Sequence, residues 1–124
     1  MNNSGLIFVG DFDTRINEKL NTKITAEKIY RSTGLAIHLK NHNHLNALKY
    51  IDRIPDMIYH PDYIGVNPNE KGQSFEIVKR YGENMLLGIK VNVSDNTLYV
   101  STLHEIAESK LQRRLYSGRL VEFK

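Results

Sequence analysis

Met85, Leu87, Ile89, Val91 and Val93 are apolar at period two and alternate with Leu86, Gly88, Lys90, Asn92 and Ser94. Successive side chains of a strand point to opposite faces, so the segment predicts a half-buried β-strand. Asp95-Asn96 tolerates the positive φ of a tight hairpin, and Leu98-Tyr99-Val100-Ser101 supplies the returning strand. On the other side, Phe75 to Tyr81 reads as the preceding strand, turned by Gly82-Glu83-Asn84. Together they predict a three-stranded antiparallel meander. A two-residue Asp95-Asn96 turn sets Val93 against Leu98, Asn92 against Tyr99, Val91 against Val100 and Lys90 against Ser101. One face is then apolar. The other carries Lys90, Asn92, Tyr99 and Ser101, and a three-residue earlier turn adds Arg80 and Glu76. A slip of one residue exchanges Ser101 for Thr102 on that face.

After Thr102, the residues Leu103, Ile106, Ala107, Leu111 and Leu115 recur at helical spacing. Glu105 and Glu108 come early and Lys110, Arg113 and Arg114 late, an order that suits the helix dipole, and Ser117-Gly118 ends the helix. The same charge order serves helix stabilisation or a nucleic-acid surface equally well.

The N-terminal half alternates shorter signals. Leu6 to Val9 reads as a strand, Ile16 to Leu20 as a helical turn and Lys28 to Arg31 as another extended piece. From Leu45, the apolar positions Leu45, Leu48 and Ile51, with Tyr50 and Ile54, follow a helical period against Asn46, Lys49, Asp52 and Arg53. Pro55 opens a second helical turn, His60-Pro61-Asp62 stops it, and Tyr63 to Val66 runs extended into the polar turn from Asn67 to Gly72. Asp62 suits a brace for that turn, and Tyr63 a core position.

With 124 residues, 40% hydrophobic and 25% charged, the chain suits one domain, 1–124, with one core. It has no cysteine, so disulfide scaffolds and thiolate metal sites are excluded, and a reducing compartment is compatible. Met1-Asn2-Asn3-Ser4 lacks a basic leader, and Leu6 to Val9 is too short for a signal peptide or a membrane span. The expected setting is cytoplasmic, or the cytoplasm of a cell to which the protein is delivered, with no membrane partner. A domain cut from a longer polypeptide fits the same start. The net charge of +3 adds a mild bias toward polyanions. Lys110, Arg113, Arg114, Arg119 and Lys124 against Glu122 concentrate it at the C-terminal end.

Of the five histidines, His38, His42 and His44 cluster within seven residues. On a helix, His38 and His42 share a face and start a two-ligand metal clamp, with His44, His60 or Asp62 as a third ligand, but no defined ligand motif is completed. Acid–base chemistry needs less. RNA carries its own nucleophile in the 2′-hydroxyl, so its cleavage requires a base, an acid and a cation at the phosphate. His38, His42, His44 and His104 supply the first two types. Lys90, Arg113 or Arg114 supplies the third, and Ser101 or Thr102 a hydroxyl. Tyr99, exposed on the polar face, suits stacking on an unpaired base.

The segments Gly34 to His44, Ile58 to Pro68 with its Pro61-Asp62-Tyr63-Ile64-Gly65 turn, Leu86 to Lys90, Tyr99 to Leu103 and Ser117 to Leu120 occur in an ordered set. That set resembles the phage-type branch of the barnase, EndoU, colicin RNase and RelE-like nuclease superfamily over roughly residues 30 to 120. The resemblance implies an α+β fold in which an N-terminal helical portion packs on a twisted antiparallel β-meander, with a basic C-terminal helix and an exposed sheet face as the RNA cleft. It implies metal-independent endoribonuclease activity, without cofactor, in phage or toxin settings, with RNA (tRNA among the candidates) as substrate and an immunity or antitoxin protein as partner. The family's histidine segment falls on His38 with His42 or His44, and its strand-end hydroxyl on Ser101 or Thr102. Two residues beyond the threonine, where the family has an aromatic, this chain has His104. Arg80, Tyr99, Lys110, Arg113, Arg114 and Arg119 are the expected RNA-binding residues. The alternative is a non-catalytic RNA-binding or interaction domain on the same scaffold.

Overall fold

A computed structural model describes residues 5–42, 44–70 and 73–124. Seven strands, β1 (Leu6–Asp11), β2 (Lys28–Ser32), β3 (Tyr63–Gly65), β4 (Ser74–Arg80), β5 (Asn84–Asn92), β6 (Thr97–Ile106) and β7 (Leu120–Glu122), form one mixed sheet in the order β1-β2-β6-β5-β4-β3-β7. Among the described residues five α-helices and one 3-10 turn (Ile51–Arg53) accompany them: α1 (Arg15–Leu20), α2 (Leu35–Asn41), α3 (Leu45–Leu48), α4 (Ile54–Tyr59) and α5 (Glu108–Ser117). Among the described residues no helix is long and apolar enough to cross a membrane.

The expected meander is β4-β5-β6, all antiparallel. It is the centre of a larger sheet, because β2 joins β6 in parallel through Ile29 opposite Leu98 and Tyr30 opposite Tyr99. Parallel pairing between distant segments leaves no turn signature, which is why β1 and β2 could be read as strands but not placed. The short β7, opposite β3, was also unread.

Two packing layers flank the sheet. On one face, Ile29, Phe75, Ile77, Met85, Leu87, Ile89, Leu98 and Leu103 pack with Leu35, Leu39, Ala47, Ile54, Met57 and Ile58 of the N-terminal helices. On the other, Val78, Leu86, Ile106 and Leu120 enclose Leu111 of α5. The second layer is small and leaves the rest of its face uncovered by helix.

The β5–β6 register differs from the expected one. Four residues, Val93 to Asn96, connect Asn92 to its partner Thr97, and Val93 is exposed. The cause is local hydrogen bonding: the Asn92 side chain accepts from the Ser94 amide and hydroxyl, and Asp95 from those of Thr97. The displacement is two residues, so Lys90 and Tyr99 keep their face and pair with each other. A bulge follows: Ile89 pairs with Val100 but Gly88 with Thr102, and Ser101 is surplus.

The expected helix beyond Thr102 is likewise corrected. β6 continues to Ile106 and α5 starts only at Glu108. Leu103 and Ile106 stand three apart because they face opposite sides of a strand, Leu103 in the large core and Ile106 in the small one. Asp62 braces as expected, accepting the Arg80 amide at 2.8 Å.

Candidate active site

A row of paired residues crosses the α5 face, from its open part to the edge of the small core: Thr102 on β6, Gly88 on β5, Glu76 on β4, Gly65 on β3 and Leu120 on β7. Side chains opposite one another in a ladder stand side by side on one face, so Glu76 has a glycine on each flank. Those glycines are required by space. A Cβ on Gly65 would lie 2.2 Å from the Arg119 carbonyl oxygen, and one on Gly88 would lie 2.6 Å from Thr102 Cγ2. Glycine within a strand marks such close approach.

Glu76 is the electrostatic centre of the row. Its carboxylate takes a hydrogen bond from Arg119 Nη2 at 3.2 Å and lies 3.7 Å from Arg114 Nη1. The Glu76 and Arg114 side chains are each only 13% exposed, and that of Arg119 25%. α5 delivers Arg114 because Leu111, Arg114 and Leu115 share its inward side at helical spacing. Burial holds the Arg114 guanidinium below its usual pKa, opposed by Glu76. Among the described residues, Arg114 Nη1 and Arg119 Nε are buried without a hydrogen-bond partner. Two cations against one anion leave a local positive excess with unused donors.

His104 stands two residues beyond Thr102 on β6, and its Nδ1 is 3.1 Å from Thr102 Oγ1. Burial lowers its pKa from the ordinary histidine value; Glu76 works in the opposite sense, and Lys110, Arg114 and His44 add to the lowering. The imidazole therefore favours its neutral form. The bulge at Ser101 sets both side chains beside Gly88, the Thr102 methyl at 2.6 Å and the Ser101 hydroxyl at 3.2 Å from a Cβ built there. Ser101 and Thr102 thus stand at one place, with the Thr102 hydroxyl beside His104.

Two recesses open on this hydroxyl pair. One is lined by Asn67, Glu70, Ser74, Glu76, Lys90, Ser101 and Thr102. There Lys90 Nζ lies 3.3 Å from Glu70 Oε1. The Glu70 carboxyl is held below its usual pKa by the Ser74 hydroxyl and then by Lys90. Ser74 Oγ itself has no partner at ordinary hydrogen-bond geometry among the described residues. The other recess is lined by Leu35, His38, Leu39, His44, Ser101, Thr102 and His104. It exists because β6 leaves β2 after Tyr99, so α2 and α3 lie along its outer edge.

Of the residues expected from sequence, His38, His44 and His104 line one recess and Lys90 the other, the two sharing Ser101 and Thr102 in the middle of β6. His42 stands a turn further along α2, its ring 4.4 Å from that of His38, and is exposed. Arg114 and Arg119 join the group through Glu76, and Lys110 lies near enough to influence His104. Arg113 faces solvent. Tyr99 is exposed on the same sheet face beside Lys90. Arg80 does not join them. It is bound to Glu108 at 2.7 and 3.2 Å, to Asn84 at 3.2 Å and to the Tyr63 hydroxyl at 3.3 Å, beyond the small core under α5. Strand parity put it on the right face but could not see the helix in between. The sequence reading also placed Glu76 on this face without a role. The available signal was an acidic residue amid the apolar run Phe75, Ile77, Val78, with a glycine in each neighbouring strand. Among the described residues, no three metal-type ligands are grouped together.

A cluster of neutral-favouring imidazole, hydroxyls and half-buried arginines on an open sheet face has the components for acid–base chemistry at a phosphate. Neither a curated protein nor a solved structure matches the chain. The model of one family does, across residues 7–113, which includes every element from β1 to the middle of α5. On that match the chain belongs to the phage-Barnase-EndoU-ColicinE5/D-RelE like nuclease family, under the description nuclease3.

Proposed function

We propose that this nuclease is a metal-independent endoribonuclease that cleaves by 2′-hydroxyl transesterification and leaves a 2′,3′-cyclic phosphate. The observation that carries the reading is the Thr102–His104 pair on β6, with the Arg114–Glu76–Arg119 cluster in the same ladder row as Thr102 and the His38 and His44 rim along the outer edge of the strand. These are the side-chain types that suffice when the substrate brings its own nucleophile.

In this mechanism neutral His104, oriented by Thr102, takes the proton of the 2′-hydroxyl. The 2′-oxygen bonds to phosphorus and the phosphorus–5′-oxygen bond breaks. His38 or His44, across the recess, gives a proton to the departing 5′-oxygen. Arg114 and Arg119 set a net positive charge beside the crowded phosphate, while Glu76 keeps both in place before substrate arrives. Such preorganised charge costs no rearrangement during reaction. Lys90 assists from the adjoining recess. In a toxin setting, a neutralising protein would cover this cleft.

The test is incubation of the purified protein with tRNA and mRNA in EDTA, with end-group analysis of any fragments. Cyclic phosphate ends, lost in His104→Ala but not in His42→Ala, are the expected result. Intact RNA at micromolar protein overturns the reading, and binding without cleavage points to the RNA-binding alternative. Cleavage that needs an added divalent ion refutes metal independence.

A further inference from the structure

The open face does not stop at the cleft. A second row of paired residues runs parallel to the Glu76 row, through Phe8 on β1, Tyr30 on β2, Tyr99 on β6, Lys90 on β5 and Ser74 on β4. Three aromatic side chains therefore stand in line on the part of the α5 face that no helix covers and lead, strand by strand, to Lys90. Phe8 is 48% exposed, Tyr99 38%, and Tyr30 is half-buried between them. Phe8 and Tyr30 meet edge to face with centroids 5.9 Å apart. A recess flanked by Leu6, Tyr30, Ser32, Asn92 and Tyr99 follows the same line. Lys28 Nζ stands 5.3 Å over the Phe8 ring and 3.7 Å from Asp11.

Isolated exposed apolar residues are ordinary, but a contiguous set on a flat face marks a contact surface. Here the set is joined to the nuclease site through the backbone ladder itself. Tyr99 pairs with Lys90 and precedes the Ser101 bulge and Thr102 on the same strand. Adjacent strands lie about 4.8 Å apart, so Phe8, three strands from Lys90, is roughly 14 Å from it across the sheet. Rings in line, with a lysine at each end of the line, match a chain of bases whose phosphates lie alongside. An aromatic platform takes any base by its π-face, and only unpaired bases expose that face.

Resting on the ribonuclease reading, we propose that Phe8, Tyr30 and Tyr99 form a base-stacking subsite for unpaired nucleotides flanking the scissile bond, which makes single-stranded RNA the substrate class. Tyr99 takes the base nearest the cleft, and Tyr30 with Phe8 the next outward. Duplex RNA, whose bases remain stacked on one another, has nothing to lay on this row.

The test measures binding without turnover: anisotropy of a fluorescent single-stranded RNA 12-mer and of its duplex, both on His104→Ala protein. Adding Phe8→Ser and Tyr99→Ser is expected to weaken single-strand binding about tenfold or more, with little change for the duplex. Tyr99→Phe restores what Tyr99→Ser loses. In wild-type protein, an abasic nucleotide beside the scissile bond raises KM for the single strand. Single-strand affinity unchanged by the serine variants, or equal loss for single strand and duplex, overturns the proposal. So does a dimer of the parent protein that the serine variants dissociate with RNA binding intact, because the face is then an interface between copies. Failure of the nuclease reading shows separately, as absence of cleavage by wild type. Both serines are at exposed positions, and single Tyr99→Ser with a matched melting temperature replaces the pair if the double variant folds poorly.

Discussion

Gly88 lies directly opposite Thr102 in the β5–β6 ladder, and the space a Cβ would need at Gly88 is occupied by the Thr102 methyl group, 2.6 Å away. Thr102 is β-branched and stiff at χ1, and its hydroxyl is held by His104, so it cannot step aside without losing that bond. Gly88→Ala is expected to cost about 1–3 kcal/mol of stability through overpacking. It should also lower kcat of the proposed cleavage more than it raises KM, because it disturbs the base. Thermal denaturation and steady-state kinetics of the variant separate the two effects. Unchanged kcat would show that the Thr102–His104 contact has no part in turnover.

Glu76→Gln removes the anion shared by Arg114 and Arg119 and leaves two half-buried guanidinium groups facing each other. Orphaned buried polar groups cost about 1–3 kcal/mol, and a loss of stability of that order, read in denaturant titration and as a lower melting temperature, is expected. Free phosphate or sulfate should stabilise this variant more than wild type by replacing the missing charge. Equal stabilisation by the anion would count against an oxyanion position between the arginines.

His104 carries a pH signature. Its folded pKa is lowered, chiefly by burial, so between that value and the unfolded value near 6.5 the unfolded chain binds more protons. Its contribution to stability is therefore complete above about pH 6.5 and declines as pH falls toward the folded pKa. Denaturant titrations at pH 7.5 and 5.5 should show a smaller loss on acidification for His104→Gln than for wild type. In the proposed cleavage the same lowering is expected to put the acid limb of kcat/KM below the ordinary histidine value.

Arg80 and Glu108 tie α5 to the end of β4. The guanidinium, with Gln112 and Asn84, takes the Glu108 carboxyl down to about 2. A lowered carboxyl stabilises above its unfolded pKa, and that contribution is lost as pH falls from about 4.5 toward 2. Both side chains are more than a third exposed, so solvent screening keeps the effect modest. Arg80→Ala is expected to move the acid unfolding midpoint to higher pH and to leave RNA affinity unchanged. A marked loss of RNA affinity would return Arg80 to the binding surface.

Strand alternation carried most of the central fold. Met85, Leu87 and Ile89 are buried on one side, and the faces assigned to Lys90 and Tyr99 hold because the register differs by an even number. What alternation cannot carry is an inserted residue. The bulge at Ser101 shifts the phase of β6, and beyond it Leu103 and Ile106, three apart and so on opposite faces, imitate a helical period while feeding two separate cores. The site was legible as side-chain types near Thr102 but not as an arrangement. Glu76 gains its meaning from Gly65 and Gly88 in neighbouring strands, and the aromatic row requires a parallel pairing of segments some seventy residues apart. Both depend on contacts that only the folded sheet makes.

The parting of β2 from β6 after Tyr99 divides the site into parts with different mechanical rulers. Distances among Thr102, Gly88 and Glu76 are counted in strand spacings and cannot change without breaking ladder hydrogen bonds. The distance from His104 to His38 and His44 is set only by how Leu35, Leu39 and Ala47 seat α2 and α3. One methylene more or less at Leu39 would move His38 and His44 while leaving Thr102, Gly88 and Glu76 untouched. Turnover of the proposed cleavage is therefore expected to respond to small changes in the core at no expense to the charge geometry on the sheet.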